Sequence, residues 1–490
     1  MAAFDPLQTL GAPLPDLSFD GLQSAFNRER FSGRGNGMAA VAALPPERSP
    51  AHLLRVLGLA FGIAVGIGGV IGGGILRSPG SALNHVPLPW VVMLLWVFAG
   101  IHALLTANIV AEVFTAIPKA GGFFNVAERA FGSFGAVLVG WTDWLANVAS
   151  VAALAIACAE FLQTFVPGLS AHVPLTAASV ATLLLLLNWA GVREGSLIQM
   201  ATSAAKAILL LALVGAVFFL GSYPTGSAGQ APKAPLSFFA IVVAYQLIVG
   251  AYSGWFSPGY FSEEDTNPGV NIPRGMLLTI LSVSTIYILT NAALIYALPV
   301  SIMRSADLPI SLAIGDIFGA SSGAIVAAIA IVTVVGCINA GLMLGSRIFF
   351  GLAREGYLFR VAGHVNKGGT PDVALGITGA FAILLSLTGQ FETVFLVMGA
   401  LGLSILGIID VAFFKLRMSE PELPRPYRAI GYPWLPAIAL ILDTGLVIAF
   451  LAADIRSAVF MVAAVLVCVP LTILAKRRKA TNLIAATSPS

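Results

Sequence analysis

Charged residues are scarce in this sequence of 490 residues: Asp, Glu, Lys and Arg make up 10% of it, whereas 58% is hydrophobic. Soluble domains carry about 25% charged residues. The composition therefore excludes an ordinary soluble domain and predicts a helical protein that crosses the membrane several times. The formal net charge is only +3, and no basic tract with interleaved aromatic residues indicates a nucleic-acid partner.

Motifs for disulfides, metals and nucleotides are also lacking. The cysteines Cys158, Cys337 and Cys468 lie inside apolar segments and form no CxxC pair, and the five histidines lack metal-ligand spacing. The P-loop pattern GxxxxGK[ST] does not occur. We expect no metal and no cofactor. A membrane enzyme is disfavoured because no catalytic Ser/His/Asp or metal cluster is visible at membrane depth.

Residues 1–50 are rich in Pro, Gly, Ala and Ser and contain no secretory signal pattern. We expect a flexible cytoplasmic tail, which is too short and polar for the signalling domain of a receptor. Twelve apolar segments follow, each near or above the ~20 residues that span a bilayer. They lie at about 53–84, 90–116, 135–166, 174–191, 196–221, 237–262, 274–298, 320–353, 371–388, 391–415, 434–453 and 458–475.

The basic residues are distributed unevenly between the connections. With the N-terminus inside, the inner connections carry Lys119, Arg129, Arg193, Arg274, Arg354, Arg360, Lys367, Lys415, Arg417, Arg425 and Arg428, and the C-terminal tail adds residues 476–479. The outer connections carry only Arg77, Lys233, Arg304 and Arg456. The positive-inside rule therefore predicts a multi-pass protein of the plasma (inner) membrane with both termini in the cytoplasm.

The first apolar segment contains VGIGGVIGGGILRSPG at 65–80, and its seven glycines are unusual for a plain span. Each costs roughly 1 kcal/mol relative to Ala inside a helix. Glycines spaced every fourth position let helices pack closely, but runs of two and three favour a broken helix. The sixth segment has a similar interruption, GAYSGWFSPGYFS at 250–262. Broken helices in secondary transporters expose backbone groups that bind a substrate carboxylate at the membrane midplane.

Seven motifs, in order, resemble the amino acid/polyamine/organocation (APC) superfamily over residues 53–435, most closely its L-type amino acid transporter branch and bacterial relatives. They are VIGGGI at 70–75, Glu112 with IPKAGGFFNVAERAFG at 117–132, NWAGVREGSLIQMATSAAK at 188–206, AYSGWFSPGYFSEEDTNPGVNIPRGM at 251–276, YILTNAALIYAL at 287–298, SRIFFGLAREGYL at 346–358 and PELPRPYRAIGYPWLP at 421–436.

The resemblance implies an all-α membrane protein with the LeuT-type fold: two inverted five-helix repeats, two additional helices, twelve transmembrane helices in all, and discontinuous helices 1 and 6. The implied organisation is a tail at 1–50, the first repeat with helices 6 and 7 at 51–300, the rest of the second repeat at 301–418, helices 11 and 12 with their preceding loop at 419–476, and a tail at 477–490. The implied substrate-binding residues are Val70, Ile71, Gly72, Gly73, Gly74, Gly250, Tyr252, Ser253, Gly254, Trp255 and Phe256.

Three positions depart from the family pattern. Gly73 replaces a common serine, so a carboxylate would rely on backbone N–H groups alone. Gly250 stands where many relatives carry an aromatic gate, and either Tyr252 or Trp255 is a candidate replacement. Phe256 stands where a relative specialised for cationic substrates carries an acid, which disfavours arginine or polyamine transport.

Lys206 lies about ten residues inside the fifth segment, where an ammonium is expensive and faces a cavity or a partner. In the family, a lysine at this motif position lies beside the broken first helix, where sodium-coupled cousins of the fold hold a cation. The resemblance thus argues against sodium coupling. Lys206 could titrate and couple transport to protons, or stay charged and brace the helices.

Acidic residues follow the sixth segment. Glu263 and Glu264 are candidates for a cytoplasmic gate with Arg193, Arg347 or Arg354, although acidic residues before Asn-Pro are also typical of a solvated turn. Asp143 lies roughly two turns inside the third segment. We expect it to be hydrogen-bonded to neighbours on the side of Trp144 or to water, with a proton relay as the alternative.

These features predict a secondary active transporter of amino acids, with neutral ones favoured, that is a sodium-independent exchanger or proton symporter working by alternating access. A cationic amino acid or polyamine transporter is the alternative. The expected partners are the amino acid, the lipid bilayer and protons. Animal L-type light chains bond to an accessory glycoprotein through a cysteine after their third span, but residues 167–174 contain none. We therefore expect no covalently linked accessory subunit.

Overall fold

The computed structural model describes residues 53–221, 237–306, 308–389 and 391–453, together with 459, 462–463 and 466–473. The predicted tails at 1–50 and 477–490 lie outside these residues, as do residues 458, 460–461, 464–465 and 474–475 of the predicted twelfth segment. The described chain is all-helical. Its α-helices are α1 (Leu59–Val70), α2 (Gly74–His85), α3 (Pro89–Ala116), α4 (Phe123–Leu162), α5 (Val173–Ala190), α6 (Val192–Leu220), α7 (Phe238–Tyr252), α8 (Pro268–Ala297), α9 (Val300–Ser305), α10 (Pro309–Ala313), α11 (Gly315–Phe318), α12 (Ser322–Arg354), α13 (Asp372–Ser386), α14 (Phe391–Ser419) and α15 (Trp434–Ala453).

Seven helices of the described chain are long and apolar enough to cross a membrane, and the bent pair α1 and α2 makes an eighth candidate. The multi-pass helical architecture expected from composition is therefore confirmed. The count of twelve spans and the domain boundaries remain predictions.

The predicted break in the first segment is present. The helix α1 ends at Val70, α2 begins at Gly74, and their axes differ by 43°. The earlier glycines of this stretch have another role. A Cβ atom at Gly68 would lie 1.7 Å from Nε2 of Gln199, and one at Gly66 would lie 2.3 Å from Oγ1 of Thr279. The two interpretations of the glycine run therefore apply to different positions. Gly66 and Gly68 allow close packing of helices, whereas Gly72 and Gly73 lie in the break between α1 and α2.

A short helix precedes the third apolar segment. The helix α4 starts at Phe123, and Phe123 and Phe124 are buried in the core. A kink with a φ of 71° at Gly132 separates this first part from the rest of α4. Positive φ angles are accessible to glycine, so α4 consists of two helices that meet at Gly132, and the second begins close to the predicted start near 135.

Candidate functional site

The interruption of the sixth segment lies against the break in the first. The helix α7 ends at Tyr252, residues 253–256 form a turn, and a 3-10 helix follows at Ser257–Phe261. A Cβ atom at Gly254 would lie 2.7 Å from the carbonyl carbon of Gly69, and one at Gly74 would lie 3.0 Å from Cβ of Ala251. Only glycine allows the two backbones to approach this closely.

Backbone groups near this contact remain accessible. Gly250 and Ser253 are exposed, and Gly72, Gly73 and Gly74 are partly exposed. A Cβ atom at Gly73 or Gly250 would meet no other atom within 4 Å. The N-terminus of α2 has no side-chain cap at Gly73. Uncapped N–H groups at the positive end of a helix suit a carboxylate.

The carbonyl groups where α1 ends are held by a buried lysine. Nζ of Lys206 donates to the carbonyl oxygens of Gly68 at 2.9 Å and Ile71 at 2.8 Å, and the lysine is 0% exposed. Cys337 on α12 donates from Sγ to the same two oxygens, at 3.0 and 3.3 Å. Because the end of a helix carries partial negative charge, a lysine that stays protonated here would stabilise this end.

A tyrosine of α8 links the two interruptions. The hydroxyl of Tyr287 lies 3.0 Å from the carbonyl oxygens of both Val70 and Ala251. Sequence reasoning did not single out Tyr287, although it belongs to the quoted motif at 287–298. Its position in that motif was the available signal.

The aromatic residues beside the turn are packed. Tyr252 donates to the carbonyl oxygen of Trp96 at 3.2 Å, and the ring centroids of Tyr252 and Tyr287 are 5.2 Å apart. Trp255 is buried and meets Phe256 edge to face. Phe256 itself packs against Phe123, with ring centroids 5.2 Å apart.

Ion pairs join the chain beyond the second interruption to α12. Arg347 forms two bonds of 2.9 Å with Glu264, and both side chains are buried, at 2% and 0% exposure. Arg354 forms bonds of 2.6 and 2.7 Å with Glu263. The side chain of Arg193 is exposed, and none of the ion pairs in the described ranges includes it.

These pairs lie at the end of the bundle where α1 begins, because the N–H of Leu57 donates to the carbonyl oxygen of Glu264. A cavity of about 540 Å³ lies beyond the breaks, near the end of α2. It is lined by Arg77, Ser81, Asn84, His85, Leu247, Arg304, Ser305 and Ala306. Leu247 is one turn before Gly250. Among the described residues, the ion pairs of Arg347 and Arg354 thus lie at one end of the bundle and this cavity lies at the other.

Asp143 has a different partner from the one expected. Tyr260 donates to Oδ2 of Asp143 at 2.6 Å, and Asn147 donates to Oδ1 at 3.2 Å. Trp144 instead donates to Oγ1 of Thr378 at 3.0 Å. The expected contact on the side of Trp144 is therefore wrong, because the indole points toward α13 and Asp143 points toward the 3-10 helix at 257–261.

A broken helix with exposed backbone groups in a multi-pass helical bundle is typical of secondary transporters. Residues 52–475 match the model of a family described as amino acid permease, so the chain belongs to this family, within the APC superfamily. It is therefore an amino acid transporter and not an enzyme.

The relatives are distant but cover most of the chain. The mouse b(0,+)-type amino acid transporter 1 is 27% identical over 419 residues, which is 82% of this chain and 84% of the mouse protein. The serine/threonine exchanger SteT of Bacillus subtilis (strain 168) is 26% identical over 398 residues, covering 79% and 89%. The mouse large neutral amino acids transporter small subunit 2 is 28% identical over 396 residues, covering 77% and 73%.

Proposed function

We propose that this protein is a sodium-independent transporter of neutral amino acids that works by alternating access, as an exchanger or a proton symporter. The single observation that carries the proposal is the contact of Lys206 with Gly68 and Ile71. Carbonyl oxygens at the end of a broken helix are the groups that coordinate a sodium ion in transporters of this kind. Here an ammonium group already satisfies them.

The proposed substrate site is the contact between the two interruptions. The carboxylate binds the N–H groups of Gly72 to Gly74, and the side chain lies toward Gly250 and Trp255. Val70, Ile71, Tyr252, Ser253, Gly254 and Phe256 complete the surroundings. Among these residues there is no Asp or Glu, so a substrate with a second positive charge would lack a counter-ion. This favours neutral substrates over the cationic alternative, and the name of the serine/threonine exchanger agrees with it.

The proposed architecture is the LeuT-type arrangement of twelve spans in two inverted repeats, with the segment at 238–261 as the second discontinuous helix. Both termini lie in the cytoplasm of the plasma (inner) membrane by the positive-inside rule. In this orientation the pairs of Glu264 with Arg347 and Glu263 with Arg354 close the cytoplasmic side. Opening to the cytoplasm requires α12 to move away from residues 263 and 264.

A thermal-shift screen against the twenty amino acids tests the substrate assignment in detergent. A ligand at 100 times its dissociation constant stabilises a protein by about 2.7 kcal/mol, so neutral amino acids should raise the melting temperature and arginine should not. The matched control is Gly74→Val, whose side chain would collide with Ala251. Stabilisation by arginine alone would favour the cationic alternative, and an equal shift in Gly74→Val would contradict the proposed site.

A further inference from the structure

Four aromatic rings pack together between the proposed amino acid site and the ion pairs of Glu263 and Glu264. We call them the aromatic cluster, which consists of Phe114 of α3, Phe123 of α4, Phe256 at the second interruption and Tyr260 of the 3-10 helix at 257–261. Neighbouring ring centroids are 5.0 to 6.1 Å apart. Because Phe256 belongs to the proposed site and Tyr260 precedes Glu263 by three residues, the cluster lies between the site and these ion pairs.

Two glycines make room for the rings. A Cβ atom at Gly122 would lie 2.2 Å from Cε1 of Tyr260, and one at Gly259 would lie 1.8 Å from Cδ2 of Phe114. Phe114, Phe123 and Tyr260 are at most 1% exposed. The rings are thus tightly enclosed, and the hydroxyl of Tyr260 is the single polar side-chain group of the aromatic cluster.

This hydroxyl bonds to Asp143, which faces it from within α4. Tyr260 donates to Oδ2 of Asp143 at 2.6 Å, a distance typical of a hydroxyl bonded to a carboxylate. The other oxygen, Oδ1, accepts from Asn147 at 3.2 Å. Asp143 is 4% exposed, and none of the ion pairs in the described part of the chain includes it. The buried carboxyl therefore depends on Tyr260 for its short hydrogen bond.

The segment that follows the second interruption is joined to the start of α1. The N–H of Leu57 donates to the carbonyl oxygen of Glu264 at 3.1 Å, and the N–H of Thr266 donates to the carbonyl oxygen of Leu57 at 2.9 Å. The rings of Phe61 and Phe261 meet edge to face, with centroids 5.0 Å apart. This segment and the first part of α1 therefore form one unit.

Asp143 belongs to a second unit, in which α4 and α12 pack closely. A Cβ atom at Gly140 of α4 would lie 2.7 Å from Cδ2 of Leu352, and one at Gly341 of α12 would lie 2.6 Å from Cγ2 of Val151. In the proposed transport cycle, opening to the cytoplasm moves α12 away from its two glutamate partners. Because α4 is packed along α12, the same movement breaks the hydrogen bond to Asp143.

We propose that Asp143 is a positioning residue for transport: its bond to Tyr260 holds the aromatic cluster in the conformation that closes the amino acid site toward the cytoplasm. Breaking the bond frees Phe256, which packs against both Phe123 and Tyr260, and lets the substrate leave on that side. This role rests on the proposed transport function, whereas the bond itself is a property of the folded chain.

Denaturant unfolding of the purified protein in detergent tests the bond without any transport. Tyr260→Phe keeps the ring but removes the donor to the buried carboxyl, so the unfolding equilibrium constant should rise at least about tenfold. The double variant of Tyr260→Phe with Asp143→Leu replaces both partners by apolar groups of similar shape and should recover most of this loss. Asn147 keeps its bond to the backbone carbonyl oxygen of residue 143 in the double variant.

Tyr427→Phe is the matched control for the unfolding measurement. The hydroxyl of Tyr427 donates to a neutral amide, Oδ1 of Asn108, at 2.7 Å. Its removal should change the unfolding equilibrium constant less than about tenfold, since hydrogen bonds between neutral groups contribute less than those to charged groups. A change in Tyr260→Phe no larger than the change in Tyr427→Phe would overturn the proposal.

Transport kinetics from both faces of the membrane test the positioning role. In right-side-out and inside-out vesicles, Tyr260→Phe should lower the KM on the cytoplasmic side and raise the KM on the external side, each at least about twofold, because it increases the population open to the cytoplasm. The double variant should show the same two shifts, since it also lacks the bond. General destabilisation does not move two KM values in opposite directions. Wild-type KM values on both sides in the double variant would overturn the role.

Cysteine labelling distinguishes failure of this role from failure of the proposed function. A cysteine introduced at Ala64 should be labelled from the cytoplasmic side at least about twofold faster in the double variant than in the wild-type background. If the wild type carries no amino acid but labelling increases, the proposed function fails while the control of opening by Asp143 and Tyr260 stands. Unchanged labelling would overturn that control whether or not the protein transports amino acids.

Discussion

Breaking the buried ion pair between Glu264 and Arg347 should destabilise the conformation that is closed on the proposed cytoplasmic side. Removing one partner of a buried pair costs about 3 to 5 kcal/mol, because the other charge stays buried without a partner. Both side chains here are at most 2% exposed, so the full range applies. An exposed pair is worth about 0 to 1 kcal/mol.

The matched control lies at the same end of the molecule. Lys119 and Glu355 are 2.9 Å apart, and their side chains are 49% and 25% exposed. A double-mutant cycle with Glu264→Gln and Arg347→Met should therefore give a coupling energy of at least about 2 kcal/mol. The cycle with Lys119→Met and Glu355→Gln should give less than about 1 kcal/mol.

Denaturant unfolding in detergent measures both cycles, and cysteine labelling from the cytoplasmic side measures the opening. Glu264→Gln should increase labelling of a cysteine introduced at Ala64, whereas Glu355→Gln should not. Equal coupling energies in the two cycles, or unchanged labelling in Glu264→Gln, would refute the assignment of this pair as the cytoplasmic gate.

Further predictions concern the substrate site, the coupling and the partners. Gly74→Val should abolish uptake while folded protein remains in the membrane, because its side chain would collide with Ala251. Gly215→Ala, on α6 and outside the proposed site, meets open space and should retain uptake. Normal transport by Gly74→Val would contradict the site. Lys206→Ala should slow transport, because the carbonyl oxygens of Gly68 and Ile71 lose the ammonium donor and keep only the thiol of Cys337. If Lys206 only braces the helices, the variant should keep its pH profile, and loss of the pH response would show that Lys206 titrates. Arg193→Gln should leave uptake within about twofold of the wild type, as expected for an exposed residue. Purified protein should transport without a second chain, and a requirement for one would contradict the single-subunit expectation.

The sequence predicted the break in the first helix because runs of glycine are a local signal. It could not assign separate roles to these glycines, since Gly66 and Gly68 are fixed by Thr279 and Gln199, far away in the chain. The choice between Arg193, Arg347 and Arg354 was undetermined for the same reason. All three arginines were candidates by their charge and their position in the sequence. Only the packing of the folded chain shows that Arg347 is buried against Glu264.

Polar residues inside the spans were the least predictable. The sequence placed Asp143 at membrane depth, but its partner Tyr260 is 117 residues away. Tyr287 was missed because nothing local distinguishes a tyrosine that bonds two broken helices from one in the core.

Amino acid counterflow in proteoliposomes, with sodium replaced by choline, tests the central claim most directly. Liposomes preloaded with an unlabelled neutral amino acid should accumulate the labelled one at the same rate in both salts, because Lys206 supplies the positive charge at the end of α1. A strict sodium requirement, or no counterflow with any of the twenty amino acids, would contradict the account.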